Sequence, residues 1–150
     1  MKEMAEKKGR TKIGLFGITK GTMLEDQVEQ YLKAETQGAV MYCALARLAA
    51  EQGFVDIAAA LGDLAGDEAR HAGLYAVLNG HAPQDLLAVL SQFAQLETAA
   101  QGKIDAFAQQ AHTLGLHQAA AAIAATADDE VRHGKVLEDL LAVQKENNSN

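Results

Sequence analysis

GDEARH, residues 66–71, and DDEVRH, residues 128–133, are near copies of one another. Both contain Asp-Glu-x-Arg-His, and they stand 62 residues apart. The same shift carries Glu35-Thr36 onto Glu97-Thr98, Gly53 onto Gly115 and Leu61 onto Ile123. It also carries Asp67, Glu68, Arg70 and His71 onto Asp129, Glu130, Arg132 and His133. The chain is a duplication of one unit, and what that unit is sets the fold.

The unit reads as a helical hairpin. Leu45, Leu48, Ala49 and Gln52, like Leu61, Leu64, Ala65 and Glu68, recur at the helical period. Hydrophobic residues make up 49% of the chain and aromatics only 5%, so much of the apolar share is alanine, which favours helices that approach closely. One proline in 150 residues leaves room for long helices. The spacing predicts a first helix over about 23–52, with Thr22 as N-cap and Glu25 in the capping-box position. A second runs from Phe54 to Asn79, a third from Pro83 in its first turn to Thr113, and a fourth from Leu116 to Gln144. Gly53, Gly80 and Gly115 separate them. The expected fold is all-α, a four-helix bundle of two repeated hairpins.

On a helix, residues i and i+3 share a face, so Glu68 points with His71 and Glu130 with His133. Glu35 precedes the turn at Gly53 by 18 residues and Glu68 follows it by 15, which sets them at nearly equal heights at about 1.5 Å per residue. Glu97 and Glu130 bear the same relation to Gly115. Packed face to face, the hairpins would gather four Glu and two His in one layer. Four carboxylates in a core would repel each other and resist desolvation unless cations neutralise them. Two divalent ions balance four carboxylates, and oxygen donors with two imidazoles suit iron or manganese. One Glu from each of two helices and Glu-x-x-His from each of two others is the di-iron pattern of ferritin-like bundles.

The bulk numbers exclude other classes. A net charge of −7 argues against a nucleic-acid binder. Cys43 is the single cysteine, so there is no internal disulfide and no cysteine-rich metal module. No run is apolar enough for a membrane span, there is no secretory leader pattern, and a cytoplasmic location is expected. Residues 1–22 form a basic arm, Lys2, Lys7, Lys8, Arg10, Lys12 and Lys20 against Glu3 and Glu6, broken by Gly9, Gly14, Gly17 and Gly21. It is expected to be loosely docked, or to meet an acidic partner. Residues 23–145 are the bundle, and the tail at 146–150 should fray.

From Leu24 to Leu141 the sequence resembles the rubrerythrin family of ferritin-like proteins, on Glu35, Glu68-x-x-His71, Glu97, Glu130-x-x-His133 and Tyr42, seven residues after Glu35. The resemblance implies a non-haem centre of two Fe ions that reduces hydrogen peroxide, or O2. In it Glu35 and Glu97 would be terminal ligands, Glu68 and Glu130 bridges, and His71 and His133 nitrogen donors. Tyr42 would offer a hydrogen bond or proton beside the metals. Typical members also carry paired Cys-x-x-Cys motifs of a rubredoxin domain. This sequence has none, so an external electron donor such as a rubredoxin-like protein is expected. The family's extra glutamate on the third helix is Ala100 here, and the repeat mate of Tyr42 is Ile104. A ferroxidase using the same ligands, or a helical module that metal merely stabilises, are the competing readings.

Asp67, Arg70, Asp129 and Arg132 flank the ligands and would bond to the histidine rings or pair on the surface. His81, His112 and His117 read as surface or loop residues, and Cys43, Met41 and Tyr75 as core. In the topology that the resemblance implies, the second and third helices run parallel. Three linker residues, 80–82, reach at most about 11 Å, against a return path of about 37 Å. A domain-swapped homodimer is therefore expected, each site taking Glu35, Glu68 and His71 from one chain and Glu97, Glu130 and His133 from the other.

Overall fold

The computed structural model describes residues 14–149. It contains four helices, α1 (Glu25–Glu51), α2 (Val55–Leu78), α3 (Leu86–Thr113) and α4 (His117–Ser149), and no strand among the described residues. The fold is all-α. The described residues divide into two units at the 82/83 junction, with α1 packed on α2 in the first and α3 on α4 in the second. Each is a helical hairpin, as the duplication predicts.

Each hairpin is held by a narrow seam. On α1 the less exposed residues include Val28, Leu32, Glu35, Ala39, Tyr42, Ala46 and Ala49; on α2 they include Ala58, Leu61, Ala65, Glu68, Ala72 and Tyr75, with Asn79 continuing the series just past its end. On α4 they include Ala120, Ile123, Ala127, Glu130, Gly134, Leu137 and Leu141. Steps of three and four alternate along each series, the period of helices that cross at a shallow angle with interlocking side chains. Of the buried apolar residues only Val28 is larger than alanine; the others are Ala49, Ala65, Ala94, Ala108, Ala111, Ala120 and Ala127. Small seam residues bring the backbones close and leave the bulky residues outside. Val40, Met41, Leu48, Phe93, Leu96 and Phe107 are all at least half exposed. This corrects two expectations: Met41 and Cys43 are exposed, because they fall between seam positions 39, 42 and 46. Tyr75 lies on the seam, stacked on Tyr31 with ring centroids 5.5 Å apart.

The helix ends follow local chemistry. Gly53, Gly80 and Gly115 take left-handed φ angles of 81°, 73° and 78° and close α1, α2 and α3. In each case the glycine N–H and the next N–H return to carbonyls of the last turn, as in Gly80 N to Val77 O (3.0 Å) and His81 N to Ala76 O (2.8 Å). The expected cap at Thr22 is displaced: α1 starts after Leu24, Thr22 Oγ1 donates to Thr19 O and accepts from Leu24 N, and Glu25 Oε2 accepts from Gly21 N. Pro83 does not open α3. Asp85 does, accepting Ala88 N with its side chain at 3.2 Å. α4 runs past Gln144 to Ser149, since neither glycine nor proline interrupts residues 135–149. The first 13 residues of the basic arm lie outside the described residues. Its remainder is docked: Gly17 N donates to Val77 O and Thr19 N to Leu78 O.

Candidate metal centre

Glu35 and Glu68 sit on the seam of the first hairpin, and the close approach of α1 and α2 there sets their carboxylates against each other. His71 is one position off the seam and more than half exposed, whereas the Glu35 side chain is only 18% exposed. His71 Nδ1 lies 3.3 Å from Glu35 Oε2. In the second hairpin His133 Nδ1 lies 3.6 Å from both Glu97 Oε2 and Glu130 Oε2. The structure thus brings Glu35, Glu68 and His71 together, and separately Glu97, Glu130 and His133. In each triad one donor atom from every residue lies within 4.8 Å of the others.

The electrostatics mark both sites as short of positive charge. A carboxyl hydrogen bond to Glu35, with burial and repulsion behind it, raises Glu68 above the usual carboxylate range. Glu130 does the same to Glu97. The carboxyl raised is that of Glu-x-x-His in the first hairpin and the mid-helix one in the second. No lysine or arginine joins either triad as an ion-pair partner among the described residues. Arg70 pairs with Asp67 and Arg132 with Asp129 on their own helices, on the solvent side rather than with the histidine rings.

A cation would satisfy this arrangement. An ion bonded to each donor at about 2.0–2.2 Å keeps its ligands within about 4.4 Å of one another. A few tenths of an ångström of side-chain movement would close each triad on one ion. Two carboxylates and one imidazole per ion, with room for further ligands, match iron or manganese.

Tyr42 is on the α1 seam two turns beyond Glu35, half-buried, and its hydroxyl makes no hydrogen bond among the described residues. Gly38 lies between them, and the sequence reading passed over it. A methyl there would come 3.3 Å from Glu68 Oε2, so glycine makes the room that the carboxylate uses. A glycine three residues after a candidate ligand in an alanine-rich helix is the signal that could have found it. Among the other histidines, His81 is exposed but holds Glu29 Oε2 at 2.7 Å, and His112 and His117 meet edge to face at 4.5 Å beside the α3–α4 turn. No described helix is long and apolar enough to cross a membrane.

The sequence model of the rubrerythrin family matches residues 26–92, which include Glu35, Tyr42, Glu68 and His71. An uncharacterized protein of the archaeon Methanocaldococcus jannaschii is 33% identical over 126 residues, covering 84% of this chain and 89% of its own length. No solved structure matches the chain significantly.

Proposed function

This chain belongs to the rubrerythrin family, and from that premise we propose that it is a non-haem di-iron protein that reduces hydrogen peroxide with electrons from an external donor. The observation that carries the reading is the pair of matching Glu-Glu-His triads, each with two carboxylates and no basic partner. Both triads would serve one dinuclear centre. Glu35 and Glu97 would hold one ion each from the side, Glu68 and Glu130 would span the two, and His71 and His133 would each give one nitrogen. The bound irons would supply Lewis acidity and the two electrons that split an O–O bond. With two protons, hydrogen peroxide becomes two waters.

The chain's own residues would do the rest. The seam position of Glu35, 18% exposed, would limit the water around its carboxylate, and the exposed edge of His71 would leave a way in for a molecule as small as peroxide. Tyr42, with an uncommitted hydroxyl, would donate a hydrogen bond or a proton to the departing oxygen. Electrons would come from a separate carrier such as a rubredoxin-like protein. We place the reaction in the cytoplasm, with no role for nucleic acid or membrane.

Stopped-flow mixing of the reduced, iron-loaded protein tests this. Oxidation by peroxide should outrun oxidation by O2, and Tyr42→Phe should slow the peroxide reaction while leaving iron content unchanged. Accumulation of iron driven by O2 would assign the site to a ferroxidase instead. Inertness to both oxidants would leave only a metal-stabilised helical module.

A further inference from the structure

The α3–α4 turn brings two imidazoles together. His112 lies in the last turn of α3, and His117 is the first residue of α4. Their ring centroids are 4.5 Å apart, and the rings meet at 62°. Both side chains are exposed, and neither ring has a hydrogen-bond partner among the described residues. The other three histidines each face a carboxylate. His71 faces Glu35, His133 faces Glu97 and Glu130, and His81 holds Glu29 Oε2 at 2.7 Å. His81 thereby joins the polar hub at the end of α2, where Asn79 Nδ2 donates to Glu25 O and to Glu29 Oε2. His112 and His117 have only each other.

Their separation is that of two imidazoles on one metal ion. An ion bonded to a ring nitrogen at about 2.0–2.1 Å stands about 3.2 Å from the ring centre. Two such rings lie about 4.5 Å apart, centre to centre, when the bonds meet at a right angle, and about 5.2 Å apart at the tetrahedral angle. The backbone that sets the spacing is fixed. Gly115 takes a φ of 78°, its N–H donates to His112 O at 2.9 Å, and Leu116 N donates to Ala111 O at 3.0 Å. The first hairpin has the same turn, with Gly53 at 81° and matching bonds to Ala50 O and Ala49 O. There the repeat mates of the two histidines are Ala50 and Val55, so the pair belongs to the second hairpin alone. Beside the rings is an open recess of about 380 Å³, with Asp105 and Gln109 along α3 and Ala120, Ala121 and Ala124 along α4. The alanines leave room for water on an ion. Gln109, one turn before His112, offers a carbonyl donor, and the Asp105 carboxylate, two turns before it, adds negative charge. Neither lysine nor arginine lines the recess, whereas the repeat mate of Gln109 is Arg47.

We propose that His112 and His117 chelate a divalent cation of the nitrogen-preferring kind, Zn(II), Ni(II) or Cu(II), at the α3–α4 turn. Two imidazoles with no carboxylate or thiolate beside them favour these later ions, whereas the carboxylate-rich triads suit iron or manganese. His112 lies 15 residues from Glu97 along α3, and His117 lies 13 from Glu130 along α4. At about 1.5 Å per residue the pair is about 20 Å from the nearest triad, so it would bind its ion whether or not the triads bind theirs. The bound ion would staple the last turn of α3 to the first turn of α4 across Gly115. Because the turn already holds the two backbones, binding fixes only the side-chain torsions of two exposed residues.

NMR of the histidine rings tests this, on the full, tag-free, metal-stripped chain at neutral pH as Zn(II) is added. The rings of His112 and His117 should shift together with a single midpoint, while the ring of His81, already held by Glu29, should not respond. His112→Ala should weaken the response left at His117 at least about tenfold, and His117→Ala should do the same at His112. Both side chains are exposed, so neither change removes a packing contact that the hairpin needs. Mn(II) should displace Zn(II) from the pair only in large excess. Separate midpoints for the two rings, single variants that leave the remaining ring's affinity unchanged, or a response confined to His71 and His133 would each overturn the proposal. Displacement of Zn(II) by an equal amount of Mn(II) would overturn the nitrogen preference. Failure of the triads to take up Fe(II) would sink the di-iron reading and leave the response of His112 and His117 as it is.

Discussion

The two hairpins carry the same triad at the same register and differ in nearly everything around it. At its open end the α1–α2 hairpin is clamped by residues 16–19 and the Asn79 hub. At the corresponding end of the α3–α4 hairpin there is a shallow recess lined by Leu87, Ala88, Ser91, Leu141, Gln144 and Lys145. Beside the triads, Tyr42 and Gly38 in the first hairpin correspond in the repeat to Ile104 and Ala100 in the second. Gly134 in the second stands where the first has Ala72. The duplicated unit has kept both triads, the Asp-Arg pairs and seam alanines such as Ala46 and Ala108 or Ala65 and Ala127, while other residues beside the triads have diverged. The polar and spacious features have collected on the first hairpin, so reaction chemistry is expected on that side and plain metal holding on the other.

The comparison breaks most sharply if the triads are not equivalent as ligands. Glu35→Ala and Glu97→Ala should each leave a helical protein that has lost one of its two ions, with the affinity at that position down at least about 100-fold, beyond what loss of a supporting group brings. Elemental analysis after dialysis gives the stoichiometry. If two ions remain after either change, the six-residue assignment fails; if only Glu97→Ala is tolerated, the second hairpin is not a ligand source.

Removing the metal should have the next largest effect and acts on both hairpins. An ion present at 100 times its Kd stabilises the folded chain by about 2.7 kcal/mol, so the melting temperature should fall by several degrees on chelation at neutral pH. The pH dependence of the metal-free protein has two parts of opposite sign. Glu68 and Glu97 are raised, so the folded state binds their protons more tightly than the unfolded chain, and stability should rise as pH falls from neutral through their folded pKa values. Glu29, held low chiefly by its bond to His81, belongs to the first hairpin alone. Its contribution is present above the ordinary carboxylate range and is lost as pH falls below it. Melting of the metal-free protein should therefore improve on mild acidification and then decline. Glu68→Gln with Glu97→Gln should flatten the rise and leave the decline; a rise that survives both changes comes from the general charge of −7 instead.

How far this contrast could be read in advance depends on the range of the interactions. The hairpins, their turns at Gly53 and Gly115 and the gathering of a Glu-Glu-His triad in each were legible because each rests on spacing within one helix or on the repeat. The clamp was not, since Thr19 and Asn79 meet across 60 residues and neither belongs to a pattern. Met41 and Cys43 were misplaced for a different reason. The usual rule puts large apolar residues inside, but these hairpins close on alanine, and many of the large residues stand exposed outside the seams. Pro83 was placed in the first turn of α3, yet Asp85 supplies the cap oxygen two residues later.

A smaller test compares two glycines. A methyl at Gly134 would stand 2.5 Å from Thr98 Oγ1, 3.2 Å from Thr98 N and 3.3 Å from Ala94 O, so α3 itself would have to move. Gly134→Ala should cost about 1–3 kcal/mol in overpacking, only partly offset by alanine's better helix propensity. At Gly38 the nearest atoms belong to the flexible Glu68 side chain at 3.3–3.5 Å. Gly38→Ala should leave metal-free stability unchanged or improved by up to about 1 kcal/mol, while weakening metal binding by displacing Glu68. Equal destabilisation by both changes, measured by denaturant melts without metal, would erase the distinction between a packing glycine and a ligand-space glycine.

The smallest expected effect concerns the arginines that first drew the two repeats together. Arg70 and Arg132 sit one residue before the histidines of the triads, and a role in orienting those rings would make them costly to remove. The structure turns both away: each pairs with the aspartate three residues earlier on its own helix, with side chains 72% and 63% exposed. An exposed pair of this kind contributes between nothing and about 1 kcal/mol, and less in salt. The Arg132 guanidinium holds Asp129 below its usual range, a local effect that solvent largely screens. Arg70→Ala and Arg132→Ala should each change stability by no more than about 0.5 kcal/mol and leave Co(II) affinity untouched. A loss of affinity of about tenfold or more in either variant would show that the Asp-Arg pair reaches the histidine through the metal-bound state. A loss in only one would add the arginines to the features that separate the hairpins.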